Sequence, residues 1–130
     1  MYGSAEGTDP MKVAILGASP KSDRYANMAQ VKLLAHGHFV IGVNPAQPDL
    51  GGVQVVKSIV DLPSEIDTLT VYVGAARSSD LSDEILSYGF RRVIFNPGAE
   101  NPDLAATLRE SGVEVLDACT LVMLSNGLFG

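Results

Sequence analysis

KVAILGASPKSDRYANMAQVKLLAHGHFVIGVNP, running from Lys12 to Pro45, decides the fold. It opens on a β-rich apolar run, Lys12–Leu16, that stops at Gly17. A small polar turn, Ala18–Asp23, comes next. Arg24 to His36 then reads as a helix, with Met28, Val31, Leu34 and Ala35 on one apolar face. Gly37 stands where the glycine that ends a helix belongs. Phe39–Val43 is a second apolar run, closed by Asn44-Pro45. Strand, helix, strand is a βαβ unit, and the two strands run parallel because the helix carries the chain back to the starting edge.

Outward from this unit the alternation continues. Gln47–Gly52 is a loop, Val53–Val56 a short strand at most, and Ser58–Leu62 no more than a helical turn. Thr68–Val73 is a third long strand. Ser78 to Tyr88 reads as one helix with Leu81, Ile85 and Tyr88 on one side, and Arg92–Phe95 is the next strand. Asn101-Pro102 pairs an N-cap residue with a first-turn proline and opens a helix to Ser111. Val113–Leu116 is the last strand. Near-continuous apolar strands fit a sheet covered on both faces. The expected architecture is therefore α/β: a doubly wound, mostly parallel five-stranded sheet of Rossmann-like type, order 3-2-1-4-5, with helices on both faces. Residues 11–130 form one domain. Met1–Pro10 is small, polar and Gly-containing and is expected to be a flexible leader, with Met11 as a second start.

Composition narrows the function. With 130 residues, 46% hydrophobic and 18% charged, the chain fits one folded core. A net charge of −6 argues against nucleic-acid binding, which needs clustered cations. It leaves room for a small phosphorylated ligand, because backbone N–H groups at a helix N-terminus bind phosphate without net positive charge. One cysteine excludes an internal disulfide and, with only two histidines, gives no metal-ligand set. No apolar run approaches the ~18 residues of a membrane-spanning helix. The N-terminus lacks the basic and apolar regions of a signal peptide. A cytoplasmic protein is expected.

In a doubly wound sheet, ligands bind beyond the carboxyl ends of the strands. Four turns lie there: Gly17–Arg24, Val43–Gln47, Gly74–Ser78 and Asn96–Glu100. Small residues suit any βα turn, but four such turns on one rim point to a pocket. The first turn keeps only the first glycine of the dinucleotide fingerprint G-x-G-x-x-G, with Ser19 and Ser22 in place of the others. Ser19 offers a hydroxyl, and Lys21 and Arg24 offer cations. An NAD enzyme needs an acidic residue at the end of the second strand for the ribose; Asn44 stands there instead, and no arginine is near for NADP. Val43 and Pro45 can flank a purine ring, with Asn44 and Gln47 as hydrogen-bonding neighbours.

The pattern V-A-I-L-G-A-S-P-x-x-x-R-Y-A-N from Val13 to Asn27, the V-N-P after the second strand and the single cysteine after the last strand resemble the small CoA-binding domain proteins. These are stand-alone relatives of the CoA-binding domain in the alpha subunit of succinyl-CoA synthetase. The resemblance runs from Met11 to about Leu124. It implies non-catalytic binding of CoA or an acyl-CoA. Gly17, Ala18, Ser19, Lys21 and Arg24 would meet the phosphates, and Val43, Asn44 and Pro45 the nucleotide end. Val73 and the loop Asn96, Pro97, Gly98, Ala99 and Glu100 match the remaining contact regions. The synthetase's phosphohistidine and second domain have no counterpart, so its ligase chemistry is not implied. Two alternatives stand beside this reading: an NAD(P)-binding protein, and a regulatory or protein-interaction domain that has lost its ligand.

The remaining reactive residues read plainly. His36 and His38 flank the end of the first helix and are expected at the surface, at the sheet end remote from the ligand rim. Cys119 is expected to be an inert thiol, with a redox or thioester role as the alternative. Leu121–Leu124 is too apolar for a free tail. A homodimer formed through it is the favoured expectation, with folding back onto the domain as the alternative.

Overall fold

The computed structural model describes residues 9–130, so most of the expected leader, residues 1–8, lies outside the described residues. Six strands form one all-parallel sheet: β1 (Lys12–Leu16), β2 (Phe39–Val43), β3 (Val55–Val56), β4 (Thr68–Val71), β5 (Arg92–Phe95) and β6 (Glu114–Asp117). Their spatial order is β3-β2-β1-β4-β5-β6. This corrects the five-stranded order. The short run at Val55 does pair, through Gly42↔Val55 and Val43↔Val56, and takes the edge beside β2. The strand beginning at Thr68 then takes the free edge of β1, with Val13 opposite Thr68 and Leu16 opposite Val71. All four β4 side chains are consequently buried.

Period-two alternation sends β1 residues to two cores. Ala14 and Leu16 join Ile41, Val43, Ile59, Leu69, Ile85, Phe95, Leu104 and Leu108. On that side lie α3 (Ser82–Tyr88) and α4 (Pro102–Glu110), with α2 (Ala75–Asp80) leading into α3. Val13 and Ile15 join Ala26, Ala29, Leu33, Val40, Met123, Leu124 and Phe129 beneath α1 (Tyr25–Ala35) and α5 (Thr120–Ser125). The single helix expected over Ser78–Tyr88 is thus two, parted at Leu81. The Asn101 cap is as expected: its side chain accepts from Leu104 N at 3.2 Å, with Pro102 in the first turn.

The packing face of α1 differs from the expected one. Met28, Val31, Leu34 and Ala35 face outward, and Ala26, Ala29, Gln30 and Leu33 face the sheet. Small alanines let the helix backbone lie close on β1 and β2, and Leu33 and the buried Gln30 fill the rest of the contact.

The tail folds back. In α5, Met123 and Leu124 are buried, and beyond it so is Phe129, while Val122 and Leu128 stay exposed. Lys32 of α1 reaches Leu121 O at 3.4 Å and also bonds the Ser125 hydroxyl. The apolar tail thus completes its own chain's core.

His38 is also buried, contrary to expectation, whereas His36 is exposed. The His38 Nδ1 accepts from Met11 N at 3.0 Å, and its ring tilts against Phe129 at 5.1 Å. Burial holds the imidazole below its ordinary 6.5, and the charges of His36 and Arg92 add to the effect. The folded chain therefore resists a proton that the unfolded chain accepts. Stability is full above pH 6.5 and falls as the pH drops below it toward the lowered folded value. Urea midpoints at pH 7.5 and 5.5 should show this loss, and His38→Phe should flatten the profile across that interval. A flat wild-type profile would contradict the assignment.

Candidate functional site

The ligand rim is organised at Gly17, where β1 ends. Its φ of +90° is open to glycine, and a Cβ there would lie 2.9 Å from Val73 Cγ1. Its N–H donates to Val43 O at 3.0 Å. The turn that follows is strapped to the end of β2: Asn44 Nδ2 donates to Ala18 O at 2.8 Å, and Asn44 Oδ1 accepts from Ala46 N at 2.8 Å. Gly42 permits this approach, since a Cβ on it would meet Ala18 Cβ at 2.8 Å. Asn27 Nδ2 holds the next residue by donating to Ser19 O at 3.0 Å.

This strapping aims the start of α1 into a cavity of about 250 Å³ lined by Gly17, Ser19, Arg24, Tyr25, Ala26, Tyr72 and Pro97–Ala99. Among the described residues no side chain caps α1, and no acidic residue occupies its first turn. The free N–H groups and the dipole there favour an anion, and the exposed Arg24 stands at the same opening. Ser19 contributes an oxygen already accepting from Lys21 N at 3.1 Å.

A second cavity, of about 340 Å³, lies at the ends of β1 and β2. Val43 and Pro45 form one wall with Leu16, while Lys57, Ser58 and Arg77 bring polar groups to it. The Asp61 carboxylate there accepts from the Ser58 hydroxyl at 3.1 Å. A third, of about 230 Å³, is lined by Tyr25, Tyr72, Asn96, Pro97, Cys119 and Leu121.

The sequence-selected residues divide accordingly. Gly17, Ser19, Arg24, Pro97, Gly98 and Ala99 meet in the first cavity, and Val43 and Pro45 in the second. Ala18 and Asn44 form the strap. Asn96 is a buried frame residue: Nδ2 donates to Thr70 Oγ1 at 2.7 Å and Val71 O at 3.0 Å, and Oδ1 accepts from Thr120 N at 2.9 Å. Its amide is therefore committed within the protein. Lys21 and Glu100 are exposed; Glu100 Oε1 accepts from Gly98 N at 2.9 Å. Val73 is partly buried behind Gly17.

Tyr25, Tyr72, Lys57 and Arg77 were not singled out in the sequence. Arg77 sits in the Gly74–Ser78 turn that the strand-end rule had marked, and that was the available signal. The hydroxyl of Tyr72 is buried without a hydrogen-bond partner among the described residues. Thr70 and Thr120 lie near it but bond each other at 2.8 Å. Burial, reinforced by Cys119, pushes the phenol up to about 12. Tyr72 is thus a neutral donor at physiological pH.

Three relatives are similar to this chain. A Bacillus subtilis protein, YneT, is 25% identical over 112 residues, covering 85% of this chain and 83% of its own. A solved structure of an uncharacterized protein superposes with a TM-score of 0.89 at 38% identity, covering 94% of this chain and all of its own. A hypothetical protein from Pyrococcus horikoshii OT3 gives 0.85 at 27% identity, over 92% of this chain and 84% of its own. The family model described as a CoA binding domain matches residues 11–125, the whole span from β1 through α5. The chain belongs to the CoA-binding domain family.

Proposed function

We propose that this protein binds CoA or an acyl-CoA without performing chemistry on it. The observation that carries the reading is the uncapped start of α1 opening, with Arg24, into the cavity beside Gly17. Charge placement supports it. The chain holds nine lysines and arginines against fifteen acidic residues, yet Lys21, Arg24, Lys57 and Arg77 all belong to segments at the carboxyl ends of the strands. CoA offers a pyrophosphate for α1 and a further phosphate for the Lys57–Arg77 side. The purine fits against Val43 and Pro45. Both histidines, the usual general bases, sit near the start of β2, at the other end of the sheet.

CoA is expected to bind more tightly than NAD, because Asn44 and not a carboxylate stands at the end of β2, and its amide is already engaged by Ala18 O and Ala46 N. Calorimetric titration with both ligands tests this. Equal affinities, or binding of NAD alone, would overturn the reading.

Arg24→Ala should weaken CoA about tenfold, the worth of one charge-assisted hydrogen bond of about 1.5 kcal/mol. Its melting temperature should not move, since Arg24 makes no side-chain cap. Unchanged affinity in the folded variant would remove Arg24 from the site.

A further inference from the structure

The third cavity adjoins the first. The two share Tyr25, Tyr72 and Pro97, so one continuous recess runs from the start of α1 to the ends of β5 and β6. Its inner part changes character. Arg24 and Ser19 are left behind, and the walls become two aromatic rings, Pro97, the Cys119 side chain and Leu121. The one amide there, Asn96, has its hydrogen bonds committed to Thr70, Val71 and Thr120. The Tyr72 hydroxyl is sealed from solvent beside Thr70 and Thr120, which leaves Tyr25 and Cys119 to supply the remaining polar atoms.

We propose that this inner recess receives the thioester end of a short-chain acyl-CoA, making an acylated CoA rather than free CoA the preferred ligand. The inference rests on the CoA reading above and deepens it. With phosphates at the start of α1 and the nucleotide on the β2 side, the remaining arm of the ligand is directed toward Cys119 and Leu121. The space of about 230 Å³ equals roughly seven or eight waters of ~30 Å³ each. A bare thiol leaves most of that apolar volume to water; an acyl chain of a few carbons fills it. Tyr72 contributes its ring to the wall, its hydroxyl being sealed from solvent beside Thr70 and Thr120. Leu121 is one wall of the recess and would limit chain length.

Calorimetry on the full chain with CoA, acetyl-CoA, butyryl-CoA and palmitoyl-CoA tests the proposal. Each buried methylene is worth about fourfold in affinity, so butyryl-CoA should bind tenfold or more tightly than CoA, and palmitoyl-CoA should lose that gain. Leu121→Trp, filling the recess, should abolish the gain, bringing butyryl-CoA down to the affinity that the same variant shows for CoA. If that variant does not fold, Leu121→Ala should instead move the preference to a longer chain. Equal affinity for CoA and butyryl-CoA, or a preference unmoved by both variants, would overturn the proposal and leave CoA binding standing. Failure of CoA and every acyl-CoA to bind would overturn the CoA reading itself.

Discussion

Phe129→Ala should destabilise the protein by about 3–5 kcal/mol, the usual range for truncating a buried phenylalanine. Phe129 is 1% exposed and joins parts of the chain distant in sequence. The Arg92 guanidinium lies 4.5 Å from its ring centroid, and His38 packs on it. Among the described residues, Arg92 hydrogen-bonds no carboxylate. It donates to the Phe129 carbonyl at 2.6 Å and to Thr68 Oγ1 at 3.2 Å. Losing the ring removes buried apolar area and the face that shelters a buried cation. Urea unfolding would show a midpoint lower by about a molar or more with an unchanged slope. A loss under about 1 kcal/mol would mean the tail is peripheral to the core.

Asn96→Ala should cost about 2–4 kcal/mol, through three lost hydrogen bonds and a Thr120 N–H left buried without its acceptor. Asn96 joins the end of β5 to β4 and to the start of α5. The discriminating measurement is CoA affinity at a temperature where the variant remains folded. A frame residue should leave it within about threefold of wild type. A tenfold loss with little change in stability would return Asn96 to the ligand-contacting set.

The strands were legible because buried parallel strands must be apolar along their length, and Lys12–Leu16, Phe39–Val43 and Arg92–Phe95 announce themselves that way. β3 was not, because two paired residues carry no period. Its uncertainty passed directly to the strand order. The inward face of α1 was hidden because alanine carries little hydrophobic signal, although close packing favours it. His38 and Phe129 are 91 positions apart, so nothing local reports their contact. At the site, turns built from consecutive residues could be read, as in Gly17–Arg24. Lys57 and Arg77 enter the rim only through the placement of β3 and α2. The role of Asn96 depends on Thr70 and Thr120, which only the folded sheet brings to it.

The Asn44 strap has a consequence for redesign. Replacing it with aspartate looks like a one-step route to a nicotinamide cofactor. Yet the same amide nitrogen that would be exchanged is the donor to Ala18 O, and a carboxylate set against that carbonyl repels it. The swap would release the turn that presents α1 to a phosphate, so ligand choice and loop shape share one atom. A lineage, or an engineer, crossing from one cofactor to the other must rebuild the turn first and change the recognition residue second.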